Sequence, residues 1–279
     1  MTTINTNVAA LYAQLSIASN ARSLETVMEQ LSTGKRINNS VDDVAGLAIS
    51  TRLTAQIRGL NQAARNGNDG ISLIQTAEGA TEQTNNMLQR MRELAVQASN
   101  DTNNSDDRRF LDLEFQQLKT QITKIAEYTQ WNGANILDGT GGNGSGLVTF
   151  QVGANAAQTI TVTLPNMRTS SGGVLSNISS SLITNSVTAG SALGAIITAL
   201  DTVNNERAKM GAIISRLQFT IDNLFNVSTQ SQQSRSRILD TDYASATTEL
   251  AKRNIIQQAA QAMLAQANQQ PQLVLQLLK

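Results

Sequence analysis

Residues 4–31 read INTNVAALYAQLSIASNARSLETVMEQL, and their apolar side chains recur at intervals of three and four residues. The residues on this spacing are Ile4, Val8, Leu11, Leu15 and Ala18 and, after a slip, Leu24, Met28 and Leu31. A heptad stripe of this kind becomes buried only when it packs against a second helix. The sequence therefore predicts a long first helix that needs a partner helix.

A second stripe of similar spacing lies near the carboxyl end, and it is rich in alanine and glutamine. Its members are Ala246, Leu250, Ile256, Ala260, Met263 and Ala267. Because small side chains let two helices approach closely, we expect the two ends of the chain to pair as a coiled coil. The residues assigned to this coiled coil and to assembly are Ile4, Val8, Leu11, Leu15, Leu31, Leu250, Ile256, Met263 and Leu264.

The composition favours an elongated, mainly α protein over an ordinary globule. Only 3% of the 279 residues are aromatic, so the chain has few large side chains for a thick core. Lysine plus arginine equal aspartate plus glutamate at 21 each, which provides no net field toward nucleic acid or an anionic membrane. The sequence contains no cysteine and no histidine, which excludes disulfides, thiolate and imidazole chemistry and most transition-metal sites.

The first residues lack the basic and apolar regions of a signal peptide, and no run approaches the roughly 20 apolar residues of a membrane span. We therefore expect neither secretion by the general signal-peptide route nor membrane insertion. A cytoplasmic location, or export that reads another signal, stays open.

The segment 33–40, TGKRINNS, consists of turn-forming residues and should interrupt the first helix. We predict a hinge at Gly34, Lys35 and Asn38. Ser40 is the expected N-cap of the next helix, with Asp42 and Asp43 in its first turn.

The next helix should run to about residue 100, where residues 100–105 form a turn. Ser105 is expected to cap a further helix that ends at Asn132 and Gly133. A period of two around Phe150 and Ile160 then predicts a β-hairpin. A third long helix should follow, with a seam from Leu193 to Leu224. The expected segments are the N-terminal helix of the inner coiled-coil domain at 1–40, the rod helices at 41–139, the hairpin and a Gly/Ser/Thr-rich surface segment at 140–189, the returning rod helix at 190–236 and the C-terminal helix at 237–279.

Matches to catalytic motifs fail on context. Gly139, Gly141 and Gly144 fit a nucleotide-binding pattern, but no buried strand precedes them and no helix follows. Ser32 and Lys35 fit an acylase pattern without its companion motifs. Paired aspartates lie where helices begin, which favours capping over metal binding. We expect no catalytic, cofactor-binding or metal-binding residue, no cofactor and no enzyme activity.

Several segments at both ends resemble bacterial flagellins. They are residues 4–7 (INTN), 28–38 (MEQLSTGKRIN), 42–46 (DDVAG), 88–97 (LQRMRELAVQ), 235–243 (RSRILDTDY), 264–269 (LAQANQ) and Pro271 with Val274 and Leu275. The resemblance covers about residues 1–140 and 190–279. It implies an inner coiled-coil domain and an outer rod domain of three helices and a hairpin. Residues 167–190 stand where many flagellins insert surface domains, so the chain resembles the short form.

The resemblance also implies a function and partners. The chain would be the subunit of the flagellar filament, secreted for swimming motility. It would contact copies of itself, an export chaperone, the type III export apparatus, and the filament cap and hook-filament junction proteins. A surface resembling the one that a host Toll-like receptor recognises, buried between subunits in a filament, would comprise Gln89, Arg90, Glu93, Leu94, Gln97 and Glu114.

Two alternatives remain at this point. A hook-filament junction protein has related ends but does not form a long tube. A surface adhesin or polysaccharide-binding module is suggested by the neutral segment 140–190, although Phe150 is the only aromatic residue there.

Overall fold

The computed structural model describes residues 6–170 and 172–277, with the side chains of Asn143 and of residues 270–277 left aside. The chain forms two compact units. The terminal unit comprises the residues up to Ile57 and those from Thr229 onward, and the central unit comprises Arg58–Ser228. The helices and strands are α1 (Val8–Thr33), α2 (Val44–Ser99), α3 (Ser105–Tyr128), β1 (Gln130–Trp131), β2 (Ala134–Asn135), α4 (Gly141–Gly144), β3 (Leu147–Gln151), β4 (Thr159–Thr163), a 3-10 turn (Ser176–Ile178), α5 (Ser186–Leu239) and α6 (Tyr243–Leu277).

In the terminal unit α1 and α6 pair along their lengths, as the two heptad stripes predict. The Asn20 Nδ2 donates a hydrogen bond of 2.9 Å to the Arg253 carbonyl, and the Asn7 Nδ2 donates one of 2.7 Å to the Ala267 carbonyl. The residue numbers of the α6 partners decrease as those of the α1 residues increase, so the two helices are antiparallel. The predicted mainly α fold with paired terminal helices is confirmed.

Two predicted helix caps are one to three residues off. Asp43, not Ser40, caps the start of α2, because its carboxylate accepts a hydrogen bond of 2.8 Å from the Gly46 N–H. Asn104, not Ser105, caps α3 and forms a reciprocal capping box with Asp107. A carboxylate or amide oxygen reaches the third N–H of a helix as well as a serine hydroxyl does, so spacing alone did not identify the cap.

The core of the central unit lies between α2, α3, α5 and the hairpin. Its largest fully buried side chains include Phe115, Leu88 and Met91. The predicted β-hairpin is confirmed as β3 and β4, which pair antiparallel with Phe150 opposite Ile160. Gly70 of α2 lies beneath the Phe150 ring, where a Cβ would approach the ring to 3.2 Å. Gly70 therefore makes room for the hairpin.

The predicted end of the third helix at Asn132 and Gly133 is wrong. The helix ends at Tyr128, and Asn132 and Gly133 instead form the turn of a second, two-residue hairpin between β1 and β2. Both residues have positive φ, 49° and 79°, as the tight turn of a hairpin requires. An Asn-Gly pair is a hairpin signal as much as a helix stop.

The segment after β4, predicted from its Gly/Ser/Thr content to lie at the surface, is only partly exposed. Its apolar residues lie in the core of the central unit, and they are Leu164, Met167, Leu175, Ile178 and Ile183. Arg168 of this segment forms an ion pair with the buried carboxylate of Asp138. The same carboxylate accepts hydrogen bonds from Thr140 and Asn135. Five apolar side chains in a polar background are enough to anchor this stretch to the core.

One stretch of α5 is apolar enough to match a membrane span by length and composition alone. The sequence did not predict such a stretch. The buried face of α5 explains it, because Ala192, Ile196, Ala199 and Val203 of this helix lie in the core of the central unit.

Candidate assembly site

The seam between α1 and α6 combines alanines with larger apolar and polar residues. On α1 the shielded positions follow a strict heptad and are Ala10, Ala13, Ile17, Asn20, Leu24, Val27 and Leu31. On α6 the matching positions are Ala246, Leu250, Arg253, Gln257, Ala260, Leu264 and Ala267. Alanine on both sides of the seam lets the two backbones approach, which the Asn20 and Asn7 hydrogen bonds to carbonyls require. Leu31, Leu250 and Leu264 thus lie in the predicted seam.

Several larger residues assigned to the coiled coil lie outside this seam. Leu15 is 67% exposed and Met263 is 61% exposed, and Val8, Leu11 and Ile256 are also exposed. These five residues do not lie in the seam between α1 and α6, because α1 carries two heptad stripes and α6 contacts the other one; their part in assembly stays a prediction. Ile4 lies outside the described residues.

These exposed residues, with two that sequence reasoning missed, form a set on the terminal helices. We call it the outer apolar set, and its members are Val8, Leu11, Tyr12 and Leu15 of α1 and Ile255, Ile256 and Met263 of α6. Burying them against water-excluding neighbours would be favourable, and exposed apolar groups of this size mark interaction surfaces. Tyr12 and Ile255 could have been found by extending the outer stripe of each helix to its adjacent positions.

The predicted hinge does interrupt the helix, but it is held by backbone hydrogen bonds. Gly34 ends α1 with a φ of 70°, and a Cβ there would meet the Tyr243 hydroxyl at 3.0 Å. The Arg36 N–H donates to the Leu239 carbonyl at 2.7 Å, and the Thr241 N–H donates to the Gly34 carbonyl at 3.1 Å. These contacts argue against free bending here, and flexibility at Gly34, Lys35 and Asn38 stays a prediction.

Asp42 organises the loop between α1 and α2. The Asp42 carboxylate accepts hydrogen bonds of 2.9 Å and 3.0 Å from the N–H groups of Asn39 and Asn38. These bonds, that of Asn39 first, lower the pKa of Asp42. The loop is thus organised around a carboxylate that is ionised at neutral pH.

In the central unit a polar surface joins α2 to α3 around Arg90. The Arg90 guanidinium donates hydrogen bonds of 2.9 Å to Glu114 and to Glu93. The Glu114 contact, followed by that of Glu93, raises the pKa of Arg90. Gln89 and Gln97 are exposed beside them. Leu94 is only 1% exposed and packs in the core, so its assignment to this surface is wrong.

Within the described residues, no group of three or more acidic side chains is placed to hold a metal ion. The described surface instead offers apolar and hydrogen-bonding contacts. This arrangement suits association with other protein surfaces.

Comparison with known proteins agrees with this description. Residues 4–141 match the family model of the bacterial flagellin N-terminal helical region, and residues 193–278 match that of the C-terminal helical region. A flagellin of Halalkalibacterium halodurans is 48% identical over 276 residues, and one of Bacillus subtilis is 43% identical over 304 residues. Each alignment covers 99% of both chains.

Solved structures point the same way. The crystal structure of Bacillus cereus flagellin is 32% identical, with a TM-score of 0.50 over 57% of this chain and 88% of that one. A Vibrio parahaemolyticus protein named as hook-associated has a TM-score of 0.60 over 71% of this chain and 100% of its own, but at 14% identity it shows the fold alone. The chain therefore belongs to the bacterial flagellin family, and it is an extracellular structural subunit of the flagellar filament that serves motility.

Proposed function

We propose that copies of this chain polymerise by burying the outer apolar set of their terminal helices against one another. The observation that carries this proposal is that these seven residues stay outside the seam although α1 and α6 are paired. A contact between different surfaces of successive copies does not close, so it propagates as a helical filament.

The expected gain is substantial because it repeats in every copy. Full burial of one large apolar side chain contributes about 1.5 to 3 kcal/mol. The members of the set are already partly covered in the single chain, so each would contribute roughly half of that. Several such contributions per subunit would make assembly strongly dependent on these residues.

The test is seeded polymerisation of the full chain, followed by light scattering and electron microscopy. We expect the double variant Leu11→Gln/Leu15→Gln to lose filament elongation, because glutamine keeps the helix propensity of α1 but removes its apolar surface. The control is Val187→Gln, which removes an exposed apolar residue from the central unit. Normal elongation by the double variant would contradict the proposal.

We also propose that the polar surface around Arg90 contacts neighbouring copies and is the surface that a host Toll-like receptor contacts on released subunits. Its support is that Arg90, Glu93 and Glu114 are exposed yet held in one arrangement by hydrogen bonds. Arg90→Ala should reduce signalling in a receptor-reporter assay and leave thermal unfolding nearly unchanged. Arg92→Ala, at an exposed neighbouring position, should leave signalling unchanged. Equal signalling by both variants would refute the receptor assignment.

The remaining partners are proposed from the family: an export chaperone, the type III export apparatus, the filament cap and the hook-filament junction proteins. The exposed Ile255, Ile256 and Met263 of α6 support a chaperone, because a subunit awaiting export must keep these residues from associating. Isothermal titration with the chaperone should show binding that Ile255→Gln/Met263→Gln abolishes. Binding that the variant leaves unchanged would place the chaperone elsewhere.

A structural role without catalysis completes the proposal. It is supported by a sequence without histidine or cysteine and by membership of a structural family. The hook-filament junction alternative makes a different prediction, since a junction protein would not extend a filament seed.

A further inference from the structure

Asn20 interrupts an otherwise apolar seam on α1. It is 4% exposed, and its Nδ2 donates a hydrogen bond of 2.9 Å to the Arg253 carbonyl of α6. Its Oδ1 is buried and accepts no hydrogen bond from the described part of the chain. Burying an amide with one unsatisfied atom is less favourable than burying a leucine of similar size. Stability alone does not explain this residue.

Without Asn20, α1 would present two interchangeable apolar stripes. The seam would offer Ile17, Leu24 and Val27, while the outer stripe offers Leu11 and Leu15. Heptad stripes associate with one another non-specifically unless a polar residue distinguishes them. In a filament, where terminal helices of many copies crowd together, such stripes would compete for the same partners.

We propose that Asn20 is a specificity-determining residue that reserves the α1 seam for α6. Pairing of this seam with another apolar stripe, including the seam of a second copy, would bury the Asn20 amide without the Arg253 carbonyl. The cost falls on wrong pairings, while the correct pairing recovers one hydrogen bond. Asn7, 13 residues earlier in the chain, donates to Ala267 in the same way and supports the same register. This inference rests on the proposed use of the outer apolar set.

A single introduced cysteine reports the wrong pairing, because the native chain has none. Ala13 lies on the seam one heptad before Asn20, so Ala13→Cys forms a disulfide between two copies only when their α1 seams meet. We expect few such dimers from the full chain with Asn20 under mild oxidation. In the Asn20→Leu background the dimer yield should rise at least threefold, and in Asn20→Ala by a smaller factor.

Intact α1–α6 pairing is checked by the double substitution Ala13→Cys/Ala260→Cys, whose positions face each other when Asn20 faces Arg253. This pair should form a disulfide within one chain, and its yield should fall in the Asn20→Leu background. Asn254→Leu, which adds an apolar residue at an exposed position of α6, is the control and should change neither yield.

Equal dimer yields in the native and Asn20→Leu backgrounds would overturn the inference and make Asn20 a merely tolerated polar residue. Failure of the proposed function looks different: the Leu11→Gln/Leu15→Gln chain would elongate normally, whatever the dimer yields show. Seeded elongation is measured on the same preparations. We expect it to fall severalfold in Asn20→Leu as mispaired subunits accumulate.

Discussion

The central unit and the terminal unit solve the problem of burying apolar side chains in opposite ways. The central unit encloses large residues such as Phe115, Leu88 and Met91 completely. The terminal unit pairs two helices through alanine-rich positions and leaves Leu11 and Leu15 in solvent. The central unit also exposes apolar side chains, among them Phe110 and Phe219, but it has a large enclosed core that the paired terminal helices lack. This difference agrees with our proposal that other copies cover the exposed residues of the terminal unit.

The largest expected effect is on the free energy of unfolding, where a core residue of the central unit is compared with an exposed residue of the terminal unit. Phe115→Ala should lower the free energy of unfolding by about 3 to 5 kcal/mol, because it leaves a cavity in the core. Leu15→Ala should change the unfolding of the single chain by less than about 0.5 kcal/mol, because this side chain is mostly exposed. Denaturant titration of unpolymerised protein measures both. A large effect of Leu15→Ala would mean that the terminal unit has its own core.

A second prediction sharpens the account of the central core. Gly70→Leu should destabilise the central unit by about 1 to 3 kcal/mol, because its side chain would displace the Phe150 ring. Gly79→Ala, at a helical position with no neighbouring atom within 4 Å, should instead stabilise α2 by roughly 0.5 to 1 kcal/mol. Opposite shifts in thermal midpoint are the expected result. Equal shifts would show that the hairpin does not depend on a glycine.

The third prediction concerns acid. Burial disfavours the ionised form of Asp138, but hydrogen bonds from Thr140 and Asn135 and the charge of Arg168 outweigh it and lower the pKa. A lowered pKa in the folded state means that Asp138 contributes stability above its unfolded value of about 3.9, and that this contribution is lost as pH falls through the folded pKa. Asp138→Asn should therefore cost about 1 to 3 kcal/mol at pH 7 and flatten the acid side of the stability curve. An unchanged slope between pH 5 and pH 2 would contradict this reasoning.

The smallest effect tests the caps. Asn104→Ala should destabilise α3 by about 1 kcal/mol, because it removes the side chain that accepts from the Asp107 N–H. Ser105→Ala should have little effect, since Ser105 is the first residue inside the helix. Thermal unfolding of both variants distinguishes the observed cap from the one that spacing suggested.

Much of the fold was predictable because its periodicity is strong. Heptads in α1, α5 and α6 and the alternation around Phe150 predicted the helices, the pairing of the two ends and the hairpin. Periodicity did not show which of two stripes on α1 faces α6, because both follow the same spacing. The Asn20 amide marks one of the two, since it hydrogen-bonds to the Arg253 carbonyl of α6, a contact that spacing does not reveal.

Other features were missed because they depend on tertiary contacts. The roles of Gly70 beneath Phe150 and of Arg168 beside Asp138 join residues far apart in sequence. Composition likewise misjudged the stretch after β4, since its few apolar residues matter more than its many polar ones. Leu94 was assigned to a surface by resemblance, although its heptad position faces the core.

The hydrogen bond between Asn7 and Ala267 spans 260 residues of sequence. A ribosome that adds about 5 to 20 residues per second needs roughly 13 to 50 s to synthesise that interval. Throughout this time α1 has no partner helix, because α6 is the last helix to emerge. The terminal unit, which we propose joins copies together, therefore forms only after Ala267 has been synthesised, and a nascent chain cannot present the paired α1 and α6 to its neighbours before then.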